Sequence, residues 1–340
     1  MKVVAIMLKQ AILSAARAAG LAAAARRATG SQLRILGYHG LWVTPGRDFG
    51  NCTFISPEQF ERRMARLKRS RLPVLPLAEA VEGLARGHLP KAAVVITIDD
   101  GWVSTFTHML PVLESYGLPA TLYATTWYAG RALPVVNQVT AYFAAAGNRP
   151  ELDWRAAARR IDALPVADRL AALRRLGSAL EVDEAWLTRR QFNLMSAAEL
   201  AEAQRRGLDI QLHTHRHIDV TSQVDALPDE IAENRAWLEA ATGGGGFEHF
   251  CYPSGSTHPR AGALLAAQGV RSATLDVEGL NAPGTDPYNL RRLLDGRGVS
   301  DAEFEAYLSG LLHYAARLSA PFRRGSPAPQ PQPFPVLEAA

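Results

Sequence analysis

The stretch VVITIDDGWVSTF, residues 94–106, sets two carboxylates, Asp99 and Asp100, at the end of an apolar, β-branched run and just before a glycine. Adjacent like charges leaving a buried strand are costly unless a cation lies beside them. Imidazoles gather further on, in HTHRH, where His213, His215 and His217 close another strand-like run, LDIQLHTH. One carboxylate and two imidazoles on converging loops form a ligand set for a divalent metal with positions left open for water. A bound cation would keep Asp100 ionised, while Asp99, pointing elsewhere, could take a proton from an activated water. Other reactive residues also fall at strand ends: His39 after LRILGY, the run Cys251 to Gly255, and Asp276.

The elements that must position these groups alternate. Strand patterns in LRILGYHGLWV, KAAVVITIDDG, PATLYATT, LDIQLHTH, FEHFCYPSG and RSATLDVEG are separated by helical ones, with a short strand also read in VLP before Leu77. The helix SPEQFERRMARLKRSR has clear start signals, with Ser56 as N-cap, Pro57 at the first position and Glu58 in the first turn. Strand–helix alternation predicts a parallel sheet or barrel, in which C-terminal strand ends converge on one face. The rhythm breaks between about 130 and 190, where an Arg- and Ala-rich helical stretch divided at Pro165 reads as an insertion after the third such strand. Residues 1–30 read as an amphipathic helix, 31–318 as the barrel unit, and the Pro-rich 319–340 as a disordered tail.

Composition bounds the partners. A chain of 340 residues with 48% hydrophobic and 21% charged residues is globular, and its net charge of +4 is spread without a long basic run, which argues against nucleic acid. Cys52 and Cys251 are too few for a disulfide framework and too far apart for a CxxC motif. In the N-terminal stretch Lys9, Gln10 and Arg17 interrupt the apolar run before signal-peptide length. The expectation is a helix with an Ala/Leu/Ile face and Arg17, Arg26 and Arg27 on its polar side, packed on the domain; a peripheral membrane contact is the alternative. A cytoplasmic location, with association at the inner membrane face, is expected over export.

TIDDG (97–101) resembles the first motif of the polysaccharide deacetylases, the NodB homology domain of carbohydrate esterase family 4, and HTHRH is similar to that family's His-Thr-x-x-His motif. The resemblance runs from about 33 to 300 and includes ILGYHG, the SPEQFERRMARL helix and LPATLYAT in the family's order. It implies a distorted (β/α)7-type barrel that hydrolyses acetyl groups, usually N-acetyl groups of amino sugars, with a divalent metal. By position, Asp99 is the implied general base and Asp100, His213 and His217 the implied ligands. Thr214 supports the ligand loop, and His215 falls on a variable position outside the ligand set. Zn²⁺ suits such a mixed set, with Co²⁺, Ni²⁺ or Mn²⁺ as other occupants.

The later motifs depart from the family. Many members carry Arg-x-Pro-Tyr in the third motif; here CYPSG puts Cys251 at the Arg position and Ser254 at the Tyr position. Arg292, in YNLRRLL, is the expected replacement beside Asp99, and the backbone N–H of Ser254 the expected oxyanion donor. Asp276 stands as a candidate fourth motif. For the general acid towards the leaving amine, His39 is chosen over the late His313 and over His258. Trp102, Trp127 and Tyr252 are candidates for stacking on sugar rings, while Trp154, Trp186 and Trp237 are read as packing. Two other readings compete: a barrel hydrolase acting on glycans in another way, and a catalytically silent glycan- or partner-binding barrel. Glycosidases need carboxylates facing one another across the scissile bond, which adjacent Asp99 and Asp100 do not readily supply.

Overall fold

Side-chain alternation along the strands separates two chemistries. Leu36, Ile96, Ile98, Leu122, Ile210, Leu212, Phe250 and Ala273 belong to one large core shared with the surrounding helices. On the opposite face of the same strands stand Thr97, Asp99, Gln211, His249, Cys251, Ser272 and Thr274, all buried. The period of two thus puts aliphatic residues outward against helices, while the inward face carries these polar groups together with Ile35, Val95 and Tyr123. This computed structural model describes residues 10–44 and 53–314, apart from 14, 17 and 18. The Pro-rich tail expected at 319–340 and Cys52 lie outside the described residues.

Seven strands, all parallel, form one sheet in the order β6-β5-β4-β3-β2-β1-β7. They are β1 (Arg34–Tyr38), β2 (Val94–Asp100), β3 (Thr121–Ala124), β4 (Asp209–Leu212), β5 (His249–Cys251), β6 (Ser272–Thr274) and β7 (Leu293–Leu294). The sheet curls into a distorted (β/α)7 barrel. Leu290 bridges Thr274 at one edge, and four residues later Leu294 pairs Gly37 at the other, so a single short segment spans the gap. Two strand assignments change. The VLP stretch contributes only an isolated bridge from Val74 to Val94, and the seventh strand is the two-residue β7, which local pattern had not marked.

Helices α1 (Leu21–Ala28), α2 (Pro57–Ser70), α3 (Leu77–Arg86) and α4 (Leu110–Tyr116) surround the first half. Ser56 caps α2 by accepting from Gln59 N–H, and Pro57 sits at its first position. Phe60, Met64 and Leu67 of α2 bury one stripe, each contributing on the order of 1.5–3 kcal/mol of apolar burial. Between β3 and β4 the insertion folds as α5 (Val136–Ala146), α6 (Trp154–Asp162), α7 (Val166–Ala179) and α8 (Ala185–Thr188). Pro165 stands at the N-cap of α7, where the missing N–H and the restricted preceding residue separate it from α6. The insertion has its own core, including Val136, Phe143, Leu173, Trp186 and Phe192, and that core takes in Trp102 and Phe54 from the barrel. The remaining helices are α9 (Ala197–Arg205), α10 (Leu227–Thr242), α11 (Ala261–Ala267) and α12 (Asp301–Leu308).

Candidate active site

Asp99 points into the barrel with Thr97, two residues earlier on the same face. Arg292, fully buried, reaches both: its guanidinium donates to Asp99 Oδ1 and Oδ2 at 2.8 Å each and to Thr97 Oγ1 at 3.1 Å. The same group donates to Asp276, to Leu275 O at 3.1 Å and to Cys251 Sγ at 3.1 Å. Burial by itself would push the Asp99 carboxyl up; the paired Arg292 outweighs it and holds the carboxyl below the usual range, with His39 adding to the pull. Burial pushes the Cys251 thiol up, so it stays protonated and reaches Asp99 Oδ2 only at 3.7 Å. Room for the guanidinium comes from Gly37, where a Cβ would meet Leu294 at 2.6 Å and Arg292 Cζ at 3.5 Å.

Asp100 leaves the strand differently. It adopts φ 72°, and Gly101 N–H bonds back to Asp99 O at 2.9 Å, an i to i+2 turn that ends the extended run. A left-handed non-glycine residue is uncommon and strained, and here it swings one of two neighbouring carboxylates away from the other. Asp100 Oδ1 faces His213 Nε2 at 3.2 Å and His217 Nε2 at 3.4 Å. Asp100 Oδ2 accepts from the Trp102 indole N–H at 2.7 Å. Thr214 and His217 also hold left-handed backbone, at φ 61° and 57°, so the HTHRH loop turns back on itself and brings both imidazoles to the same oxygen.

The surrounding polar contacts orient the imidazoles. His213 Nδ1 lies 2.8 Å from Cys251 O, which can only accept, so Nδ1 carries a hydrogen and Nε2 is turned toward Asp100. Asn234, fully buried on α10, accepts from His213 N–H at 3.0 Å and donates to Ala124 O and Thr126 Oγ1. With Nδ1 as donor, a neutral His213 would set an acceptor against the Asp100 carboxylate, and either a proton on Nε2 or a metal cation between the two resolves that; burial opposes the proton, but the Asp100 carboxylate draws it and holds the imidazole well above its usual range. Ligand atoms of Asp100, His213 and His217, all buried, lie within 4.8 Å of one another, so the donor set fits a divalent ion. Asp99, Cys251 and Asp276 also converge, but the Arg292 guanidinium already occupies their centre.

Each remaining residue singled out in the sequence has a definite place. His39, 15% exposed at its side chain, puts Nε2 3.7 Å from Asp99 Oδ2 at the end of β1. Ser254 takes φ 53° in the turn after β5, followed by Gly255 at φ 65°, where a Cβ would meet Asp276 at 2.8 Å; no acceptor among the described residues takes the Ser254 N–H. His215 is engaged by Thr126 Oγ1 at 2.7 Å and lies 3.6 Å from Glu233, away from the ligand trio. His258 Nδ1 accepts from Arg260 N–H, and His313 sits beside Leu311, Leu312 and Tyr314, which pack against residues near the N-terminus. The stacking assignment is corrected for Trp102 and Tyr252, each only 1% exposed and therefore closed to a sugar ring. Trp127 is half-buried with the guanidinium of Arg131 4.2 Å from its ring. Sequence reasoning passed over Asn234. Its spacing with Leu227, Ile231 and Leu238 put an amide in a core-facing slot of a helix, which was the available signal.

A parallel barrel with one carboxylate clamped by arginine and another facing two imidazoles, all at the C-terminal strand ends, has the architecture of a barrel hydrolase. The polysaccharide deacetylase family model matches residues 86–273, more than half of the chain. The chain belongs to that family, the NodB homology or carbohydrate esterase family 4 deacetylases. Its fold resembles IcaB from Ammonifex degensii, at 21% identity and TM-score 0.55 over 82% of this chain and 98% of that one. It also resembles the Streptococcus pyogenes deacetylase PplD in complex with acetate, at 17% identity and TM-score 0.54 over 78% and 92%. A de-N-acetylase from Aggregatibacter actinomycetemcomitans aligns at 16% identity and TM-score 0.55 over 81% and 99%. No curated protein matches the sequence.

Proposed function

We propose that the protein is a metal-dependent deacetylase that removes N-acetyl groups from an amino-sugar glycan, such as a surface polysaccharide or its precursor. The observation that carries this reading is Asp100 Oδ1 facing two imidazole Nε2 atoms beside an arginine-clamped Asp99. Asp100, His213 and His217 would hold the divalent ion, with Zn²⁺ the best match to the donor set. Bound there, it would supply a Lewis acid that polarises the acetyl carbonyl and lowers the pKa of a water.

The chain's own groups do the rest. Arg292 keeps Asp99 ionised at neutral pH and fixes its plane, at some loss of basicity; an acidified water is the partner that so weak a base can deprotonate. His39 stands at the more open side of Asp99 and delivers a proton to the departing amine. The Ser254 N–H donates to the carbonyl oxygen as charge develops on it. The names of similar solved proteins, a de-N-acetylase among them, support an amide over an ester.

The reading is tested by acetate release from N-acetylglucosamine oligomers, using protein stripped with chelator and then reloaded with Zn²⁺, Co²⁺, Ni²⁺ or Mn²⁺. Turnover is expected to vanish on stripping and return on reloading, and Asp99→Asn is expected to retain the ion and lose about 10²–10⁴ in kcat. Undiminished turnover in the stripped protein would refute it.

A further inference from the structure

The end of the barrel away from the site carries a surface that catalysis does not use. Among the described residues only Ile12, Leu21 and Val166 are large apolar side chains that are clearly exposed, and two of the three fall in the short stretch leading into and opening α1. Of α1 only Ala25 is buried, packing with Ala306 and Leu311, so the helix is docked along one line. Leu21, Ala23, Ala24 and Ala28 stay exposed, as do Arg26 and Arg27 in the last turn.

In sequence, the first thirty residues carry charge of one sign. No carboxylate precedes Asp48, whereas Lys2, Lys9, Arg17, Arg26 and Arg27 all fall within the first thirty residues. A cavity of about 560 Å³ lies beside α1, against α2 and α12, and Arg26, Arg66 and Arg69 line it. The acids on its wall are matched internally, Asp301 by Arg63 and Arg66 and Glu305 by Arg66. No ion pair engages Arg26, Arg27 or Arg69 among the described residues.

We infer that this face docks on an anionic membrane surface, with Ile12 and Leu21 entering the interface and the arginines meeting lipid phosphates. Leu21 with the unmatched Arg26 and Arg27 on α1, and the exposed Ile12 just ahead of that helix, combine apolar side chains with cations as interfacial binding requires. A second copy of the chain fits poorly, because a two-fold contact would set Arg26 and Arg27 against their own equivalents, and the nearby carboxylates Asp301 and Glu305 are already engaged by Arg63 and Arg66. The orientation follows from the strands. Gly30, just past α1, accepts from Ala92 N–H before β2 begins, while Asp99 and Asp100 end that strand. Seven residues at about 3.3 Å each put the site about 20 Å from the docked face, opening away from the bilayer. The substrate is then a glycan reaching out from the surface, or free of it, and not a group in the headgroup layer.

Flotation of the full-length protein with vesicles of phosphatidylcholine alone, or mixed with phosphatidylglycerol, tests this. Binding is expected only to the mixed vesicles and to fall as salt rises. Replacing both Arg26→Gln and Arg27→Gln is expected to weaken it roughly thirty-fold, and Leu21→Gln to weaken it several-fold, with acetate release from a soluble oligomer and near-ultraviolet circular dichroism unchanged. Three results would overturn it: equal or absent binding to both vesicle types, duplex DNA competing as well as lipid, or a dimer in solution that Leu21→Gln dissolves.

Discussion

Asp99 and Asp100 are neighbours in sequence and equally buried, yet the fold handles their charges in opposite ways. On the Asp99 side the counter-charge is built in: Arg292 binds both oxygens, and its remaining N–H groups are shared among Thr97, Leu275, Asp276 and Cys251. On the Asp100 side no permanently charged guanidinium or ammonium is supplied, and two titratable imidazoles and an indole surround the carboxylate instead. Burial would push the Asp100 carboxyl up, and contacts with His213 and His217 carry it well below the ordinary range, as an ionised ligand must be. A permanent cation makes a fixed, ionised base; a gap between donors makes a place for an exchangeable one. The comparison teaches that the working charge state of this site is set by which partner the protein supplies itself.

The most severe break is Arg292→Met. It leaves Asp99 and Asp276 buried without their partner and is expected to lower stability by about 3–5 kcal/mol in chemical denaturation. Acetate release should fall by about 10²–10⁴, while the affinity for Zn²⁺, read by competition with a chromogenic chelator, should stay within a few-fold. Loss of both properties together would show that the two sides are one coupled unit.

His249, at the start of β5, shows a third treatment of a buried ionisable group, which is to forgo charge. Burial brings it down to about 4, with Ser272 Oγ at 2.8 Å and Arg271 opposing its protonation. The folded pKa lies below the unfolded value near 6.5, so the unfolded chain takes up a proton that the native one refuses. Stability is therefore expected to fall as pH drops from about 6.5 to about 4, by at most about 3 kcal/mol. His249→Gln should remove that slope from denaturation curves taken across this window. Asp162 and Asp295, pushed up to about 6 by burial, act in the opposite sense in both proteins and cancel in the difference. An unchanged slope would mean that His249 takes up its proton in the native state too.

Local pattern carried the fold as far as local pattern reaches. The α2 start, the break at Pro165 and the strand ending in Asp99 and Asp100 depend on neighbours within a few residues, and the structure shows each. The two-residue β7 has too few side chains for periodicity and exists because β1 accepts it; VLP has the right composition but gains only one bridge. Site residues divide along the same line. Asp99, Asp100, His213 and His217 lie in short motifs, and a family resemblance names their roles. Arg292 lies far along the chain from Asp99, and it entered only because CYPSG lacks the family's arginine. Trp102 stood among the stacking candidates because what buries it, Phe54 and the core of the insertion, lies far from it in the chain on either side.

The burial of Trp102 leads to the finest test of the contrast between the two carboxylates. The Trp102 ring packs 5.2 Å from that of Phe54 in the core of the helical insertion, and its N–H takes up Asp100 Oδ2. With Oδ2 capped, Asp100 presents only Oδ1 to the imidazoles, so the insertion steadies a ligand it does not contain. Trp102→Phe keeps an aromatic ring in that core and deletes the donor. Partners of this kind are typically worth 10- to 100-fold in metal affinity, and a fall of that size in Zn²⁺ affinity is expected by chelator competition, with thermal stability of the stripped protein nearly unchanged. A purely structural Trp102 would give the reverse, a lower melting temperature with Zn²⁺ affinity intact. Asp100 would then owe its orientation to the left-handed turn alone.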